Sequence, residues 1–146
     1  MRNILILGLA VILTSCAKIG DHETALRFDG IYQSERTGDY WYYLRFYPDG
    51  TVIEVSSTGQ PNDLRQWFTK EHDGVSTGKV TLKGKRISFS AVSSAGSVDY
   101  DGELVGNQLR LHSYCHINEH RSNNLYVFVR WEAEQGAPAD ADKPRR

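Results

Sequence analysis

The side chains with the most chemical capacity lie close together in the last third of the chain: His112, Cys115, His116 and His120, the donor types of a zinc site. The residues around them alternate as in a strand, where successive side chains point to opposite faces. That puts Cys115 on the face of Leu109, Leu111 and Ser113, as a small buried and unreactive core residue. His112 and His116 fall on the other face with Arg110 and Tyr114, and His120 sits in the following turn. These three imidazoles are the only metal candidates, and no second cysteine or paired carboxylate completes a tight tetrahedron, so no metal is expected. Asp99 and Asp101 are two apart on one strand face, the spacing of an acid/base pair, but beside a glycine turn such carboxylates are solvated. There is no Gly-x-Ser-x-Gly elbow, His-Glu-x-x-His helix or phosphate-cradling glycine loop. The chain therefore reads as a non-enzyme without a cofactor.

The elements that would position these residues are short strands. Tyr40 to Val55 (YWYYLRFYPDGTVIEV) holds two aromatic and β-branched runs joined by Pro48-Asp49-Gly50, a hairpin whose turn ends in a left-handed glycine. Phe28 to Tyr32 precedes it as a first strand. Val80 and Leu82 turn at Gly84-Lys85 into Ile87, Phe89 and Ala91; Val98 to Leu104 turns at Gly106-Asn107 into Leu109 and Leu111. Asn118 to Asn124 is a polar turn before a last strand, Leu125 to Trp131. The period changes only between Gly59 and Asp73, where Leu64, Trp67 and Phe68 at i, i+3, i+4 predict a short amphipathic helix near residues 62–70 with a buried aromatic face. The fold class expected is all-β: a small antiparallel meander of about eight strands, closing into a lipocalin-like (calycin-type) barrel and so removing its edges.

The chain has 146 residues, 40% hydrophobic and 24% charged, with a formal charge of −1. One globular domain is expected, with none of the basic field by which nucleic-acid binders release counterions from phosphates, so nucleic acid is not a partner. Arg2 followed by the apolar run Ile4 to Leu13 has the pattern of a secretory signal, too short to span a membrane. Leu13-Thr14-Ser15-Cys16 then resembles the lipobox of bacterial lipoproteins. The resemblance implies cleavage before Cys16, acylation of that cysteine with chains such as palmitate, and anchoring to the lipid bilayer. No Asp follows Cys16, which in that family favours the outer membrane, facing the periplasm, if the cell is Gram-negative. The organisation expected is a signal peptide over 1–15, the lipidated cysteine and tether over 16–26, the barrel over 27–132 and a disordered polar tail over 133–146. Cys115 is then left without a cysteine partner.

The stretch YYLRFYPDGTVI, with Ser113 to Ile117, Arg121-Ser122 and Phe128-Val129-Arg130, is similar to the lipocalin-like C-terminal domain of the F-box only protein nine family. The likeness covers most of Gly30 to Trp131. It implies the fold and a general role in binding; without an F-box or helical repeat, ubiquitin-ligase function does not carry over. Ser94 to Tyr100 partly resembles a loop of the lysozyme-inhibitor lipoproteins, at a different spacing.

The aromatic hairpin leaves two arrangements open because both its faces are apolar. In one, Leu44 and Phe46 fill the barrel while Arg45 lies across exposed rings. In the other, Trp41, Tyr43 and Arg45 turn inward to join Tyr126, Phe128 and Arg130 around a ligand, as an arginine and a tyrosine do in fatty-acid-binding barrels. The second predicts a membrane-anchored binding module for a small apolar or amphipathic ligand. The first predicts a filled barrel that binds another protein through its surface.

Overall fold

The computed structural model describes residues 25–131. The apolar N-terminal run, Cys16 and the polar tail, with the expectations attached to them, lie outside the described residues. Nine strands form: β1 (Gly30–Ser34), β2 (Trp41–Phe46), β3 (Thr51–Ser57), β4 (Ser76–Lys79), β5 (Thr81–Lys83), β6 (Arg86–Ser93), β7 (Gly96–Val105), β8 (Gln108–Cys115) and β9 (Arg121–Arg130). Their order is β4-β3-β2-β1-β9-β8-β7-β6-β5, all antiparallel, and β4 also meets β6. The result is a closed eight-stranded lipocalin-like barrel with β5 as an extra strand, which is the fold class expected.

The weakest pairing lies at β4. Residues 76–83 form two strands that divide at Val80, so that β4 pairs with β3 and β5 with β6. Between β4 and β6 only Thr77 and Val92 stand in register. The two backbones cross so closely that a Cβ on Gly78 would lie 2.1 Å from the Ser90 carbonyl oxygen, which only glycine tolerates. Thr51 to Ser57 returns from the turn at Gly50, whose φ of +80° is the left-handed conformation expected there.

Twelve buried side chains from seven strands meet inside the barrel, among them Tyr32, Leu44, Phe46, Ile87, Phe89, Leu104 and Tyr126. Tyr32 packs edge-on to Phe46 and Phe128 at 5.6 and 5.2 Å, and Phe89 stacks on Tyr100 at 4.7 Å. Such pairs add about 0.5–1.5 kcal/mol each beyond their buried area. A second core lies outside the wall: Ile31, Tyr43 and Ile53 pack beneath Leu64 and Phe68.

Three local expectations are corrected. The short helix expected near residues 62–70 is present, as a seven-residue 3-10 helix, Pro61–Trp67, but its aromatic face is only partly buried. Leu64, and Phe68 just beyond the helix, are buried, while Trp67 is 42% exposed against the His72 ring. The last strand begins at Arg121, four residues before Leu125. Its polar start is accommodated because Ser113 and Ser122 hydroxyls bond at 2.7 Å and the Asn124 amide donates to Ser122 at 3.1 Å. Cys115 is half-buried instead of fully buried, at the end of β8.

Candidate functional site

The six residues expected around a ligand do not form one site. Alternation along β2 sends Leu44 and Phe46 inward and Trp41, Tyr43 and Arg45 outward, and the outward rings are covered rather than exposed. Tyr43 donates its hydroxyl to the Gly59 carbonyl at 2.7 Å. Arg45 Nη1 donates to the Phe68 carbonyl at 2.9 Å, and the guanidinium lies over Tyr47 and Trp131 at 4.7 and 4.4 Å. Carbonyl and ring contacts thus take the place of a carboxylate, although Arg45 Nε stays buried without a partner. Of the β9 residues, Tyr126 is buried inside and Phe128 packs against the same cluster. Arg130 shares their face but ends the strand at the rim, exposed, bonded to Asp29 at 2.9 Å.

That rim is closed by the segment entering β1. Leu26 packs on the interior cluster and Arg27 sits 4.1 Å above the Phe128 ring. The Arg27 backbone N–H donates to the Tyr32 hydroxyl at 3.0 Å, and its guanidinium pairs with Asp29 at 2.7 Å. The Arg27 hydrogen bond is the main reason the Asp29 carboxyl is held below its usual range.

The interior carries the opposite charge type from the one expected. Glu54 on β3 alternates inward with Val52 and accepts the Tyr100 hydroxyl at 2.6 Å. Its second oxygen is buried without a partner, as is the Tyr126 hydroxyl nearby. Burial pushes the Glu54 pKa up, opposed by the Tyr100 bond, and burial also pushes the Tyr100 and Tyr126 hydroxyls up. Strand parity was the signal for Glu54: it stands two residues from Val52 and opposite Leu44.

A concavity lies on the outer wall. A groove of about 810 Å³ runs over β5 to β9, lined by outward side chains in cross-strand rows. One row is Lys83, Arg86, Glu103, Arg110 and Leu125; the next is Thr81, Ser88, Asp101, His112 and Asn123. Its floor includes Gly102, where a Cβ would lie 1.9 Å from the Arg110 carbonyl oxygen. Only glycine tolerates so close an approach of the two strands at this point. Arg110 approaches Glu103 at 3.8 Å, and His112 bonds to Asn123.

The three metal-candidate imidazoles diverge. His112 takes Asn123, His116 Nε2 lies 2.6 Å from Asp99, and His120 is exposed in the β8–β9 turn. No group of three or more His, Cys, Asp or Glu converges as a metal site among the described residues. Asp99 and Asp101 both face outward; Asp99 is bonded by Ser90 and His116, in that order the causes that hold its pKa down.

Compared with family models, with curated proteins and with solved structures, the chain matches none.

Proposed function

We propose that this chain is a lipid-anchored protein of the cell envelope whose filled barrel is a rigid scaffold and whose outer groove binds a partner protein. The observation that carries this reading is the distribution of space: twelve side chains occupy the interior while about 810 Å³ stands open on the outside of the wall. A groove with both charge signs, an imidazole and amides suits a polar segment, with orientation set by a few placed groups. The envelope location and anchor rest on the apolar leader and the Leu13 to Cys16 lipobox.

A second reading, a small ligand inside the barrel, draws on the unpartnered Glu54 oxygen and Tyr126 hydroxyl. Such a ligand would donate hydrogen bonds; a fatty-acid anion would meet a carboxyl where it needs a cation.

Native mass spectrometry of residues 17–146, which hold the whole barrel, decides between the two. The expected result is a clean apoprotein mass. A reproducible extra mass that leaves on unfolding would overturn the filled-barrel reading.

A further inference from the structure

The charges of the barrel are sorted along its axis, although the chain as a whole is nearly neutral. One end gathers the start of β1 and the β2–β3, β5–β6 and β7–β8 turns. Backbone hydrogen bonds tie that end into a ring: Val80 to Gly50, Leu104 to Lys85, and Phe128 to Asn107. It is also the end from which the chain toward Cys16 leaves, since Leu26 and Arg27 close it. Here stand Arg27, Lys70, Lys79, Lys83, Lys85, Arg86 and Arg130. Asp29 and Asp49 are engaged by Arg27, Arg130 and Lys70, and Glu103, which stands across from Arg86, is approached by Arg110; the side chains of Lys83, Lys85 and Arg86 make no hydrogen bond or ion pair among the described residues. The opposite end, at the β1–β2, β6–β7 and β8–β9 connections, carries Glu35, Asp39, Asp99 and Glu119 against Arg36 and Arg121.

Exposed apolar side chains occur at both ends: Tyr40, Val92 and Ile117, 53 to 58% exposed, lie at the opposite end, while Phe28, Leu82, Val105 and Val127, each 37 to 44% exposed, lie at or next to the basic end, interspersed with its cations. Single exposed apolar residues need no explanation, but four of them among free cations make an amphipathic face of the type that seats at a headgroup boundary.

We propose that this end of the barrel is a docking face for an anionic phospholipid bilayer. Lys83, Lys85 and Arg86 would reach headgroup phosphates, and Phe28, Leu82 and Val105 would enter the interface. One feature selects a bilayer over an acidic polypeptide: Leu26 and Arg27, from which the chain continues toward Cys16, close this same end, while Lys83 and Arg86 stand where the groove meets it. A basic face adds electrostatic attraction to anionic headgroups and orients the barrel on the bilayer to which an acylated Cys16 would hold it. With the barrel standing on this end, the part of the groove lined by Asp101, His112 and Asn123 remains open above the surface.

The test uses residues 17–146, which lack Cys16, so that acylation plays no part. Co-sedimentation is measured with vesicles containing phosphatidylglycerol, with vesicles of phosphatidylcholine alone, and with poly-L-glutamate. The expected result is binding to the anionic vesicles that weakens as salt rises. The triple variant K83Q/K85Q/R86Q should lower it about a hundredfold, while R36Q/R121Q at the opposite end leaves it unchanged. All five residues are exposed, and a circular-dichroism melt checks that each variant is folded. Equal binding to neutral vesicles, equal loss in both variants, or no binding to anionic vesicles would overturn the proposal. Binding to poly-L-glutamate without binding to vesicles would do so as well, by assigning the basic end to an acidic polymer. None of these outcomes depends on whether the barrel interior holds a ligand.

Discussion

Glu54 is the residue on which the interior chemistry turns. A carboxyl that is buried among tyrosines, with one oxygen bonded and the other unpaired, is stabilised only in its neutral form. Its folded-state pKa lies above the usual 4.5, so the native state holds that proton more tightly than the unfolded chain. The associated stability is fully present below the unfolded value and is lost as pH rises through the raised one. Asp29 and Asp99 act in the opposite sense, their contribution being lost only as pH falls through their lowered values. As pH rises above 4.5, therefore, the urea midpoint of the wild type should fall relative to that of Glu54→Gln. A difference that stays constant as pH rises would show that Glu54 is ionised in the folded state throughout. The inward position of Glu54 was legible from its parity with Val52 and Leu44. What strand parity cannot supply is the absence of a cation around it, because Tyr100 and Tyr126 come from β7 and β9, far off in the chain. Arg45 shows the same division: its alternation with Leu44 and Phe46 was readable, but the ring and carbonyl that receive it belong to Trp131 and Phe68.

At the scale of elements, hairpins whose turns are signalled by Gly50, Gly84 and Gly106 were legible, since each pairs neighbouring segments through a glycine of positive φ. The less legible elements are those whose form is decided by distant partners. From the 3-10 helix at residues 61–67 only Leu64, and Phe68 after it, find the outer core of Ile31, Tyr43 and Ile53. Residues 76–83 divide at Val80, where β4 and β5 take different neighbours. The outer groove also belongs to this scale, with Gly102 on its floor where β7 and β8 come closest. Gly102→Ala should lower the thermal midpoint, since the new Cβ meets the Arg110 carbonyl and overpacking of this kind costs about 1–3 kcal/mol. The same substitution should push β7 and β8 apart and alter the groove floor, visible as amide shifts at Asp101 and His112. A variant with an unchanged midpoint would mean that the wall is not closed as tightly as this crossing implies.

The axial sorting of charge is a property of the whole molecule and invisible along the chain, where Arg27, Lys70, Lys83 and Arg130 look like scattered surface residues. The antiparallel strand order sends these turns to one end, and closure of β9 onto β1 gathers them into a ring. That end also bounds where a membrane can lie. Ten residue steps separate Cys16 from Leu26, and an extended chain covers at most about 3.6 Å per step, so the closed rim stays within about 35 Å of an acylated Cys16. Lipid and basic face would then act together, and salt separates them: electrostatic attraction to headgroups is screened, whereas acyl insertion is not. In cells, the wild-type protein should remain with the membrane fraction through a high-salt wash. Cys16→Ala should be recovered with membranes in part at low salt and be released at high salt. If Cys16→Ala stays on the membrane after the wash, lipid anchoring at this cysteine is refuted. Release of the wild type by salt alone would instead leave the basic end as the entire attachment.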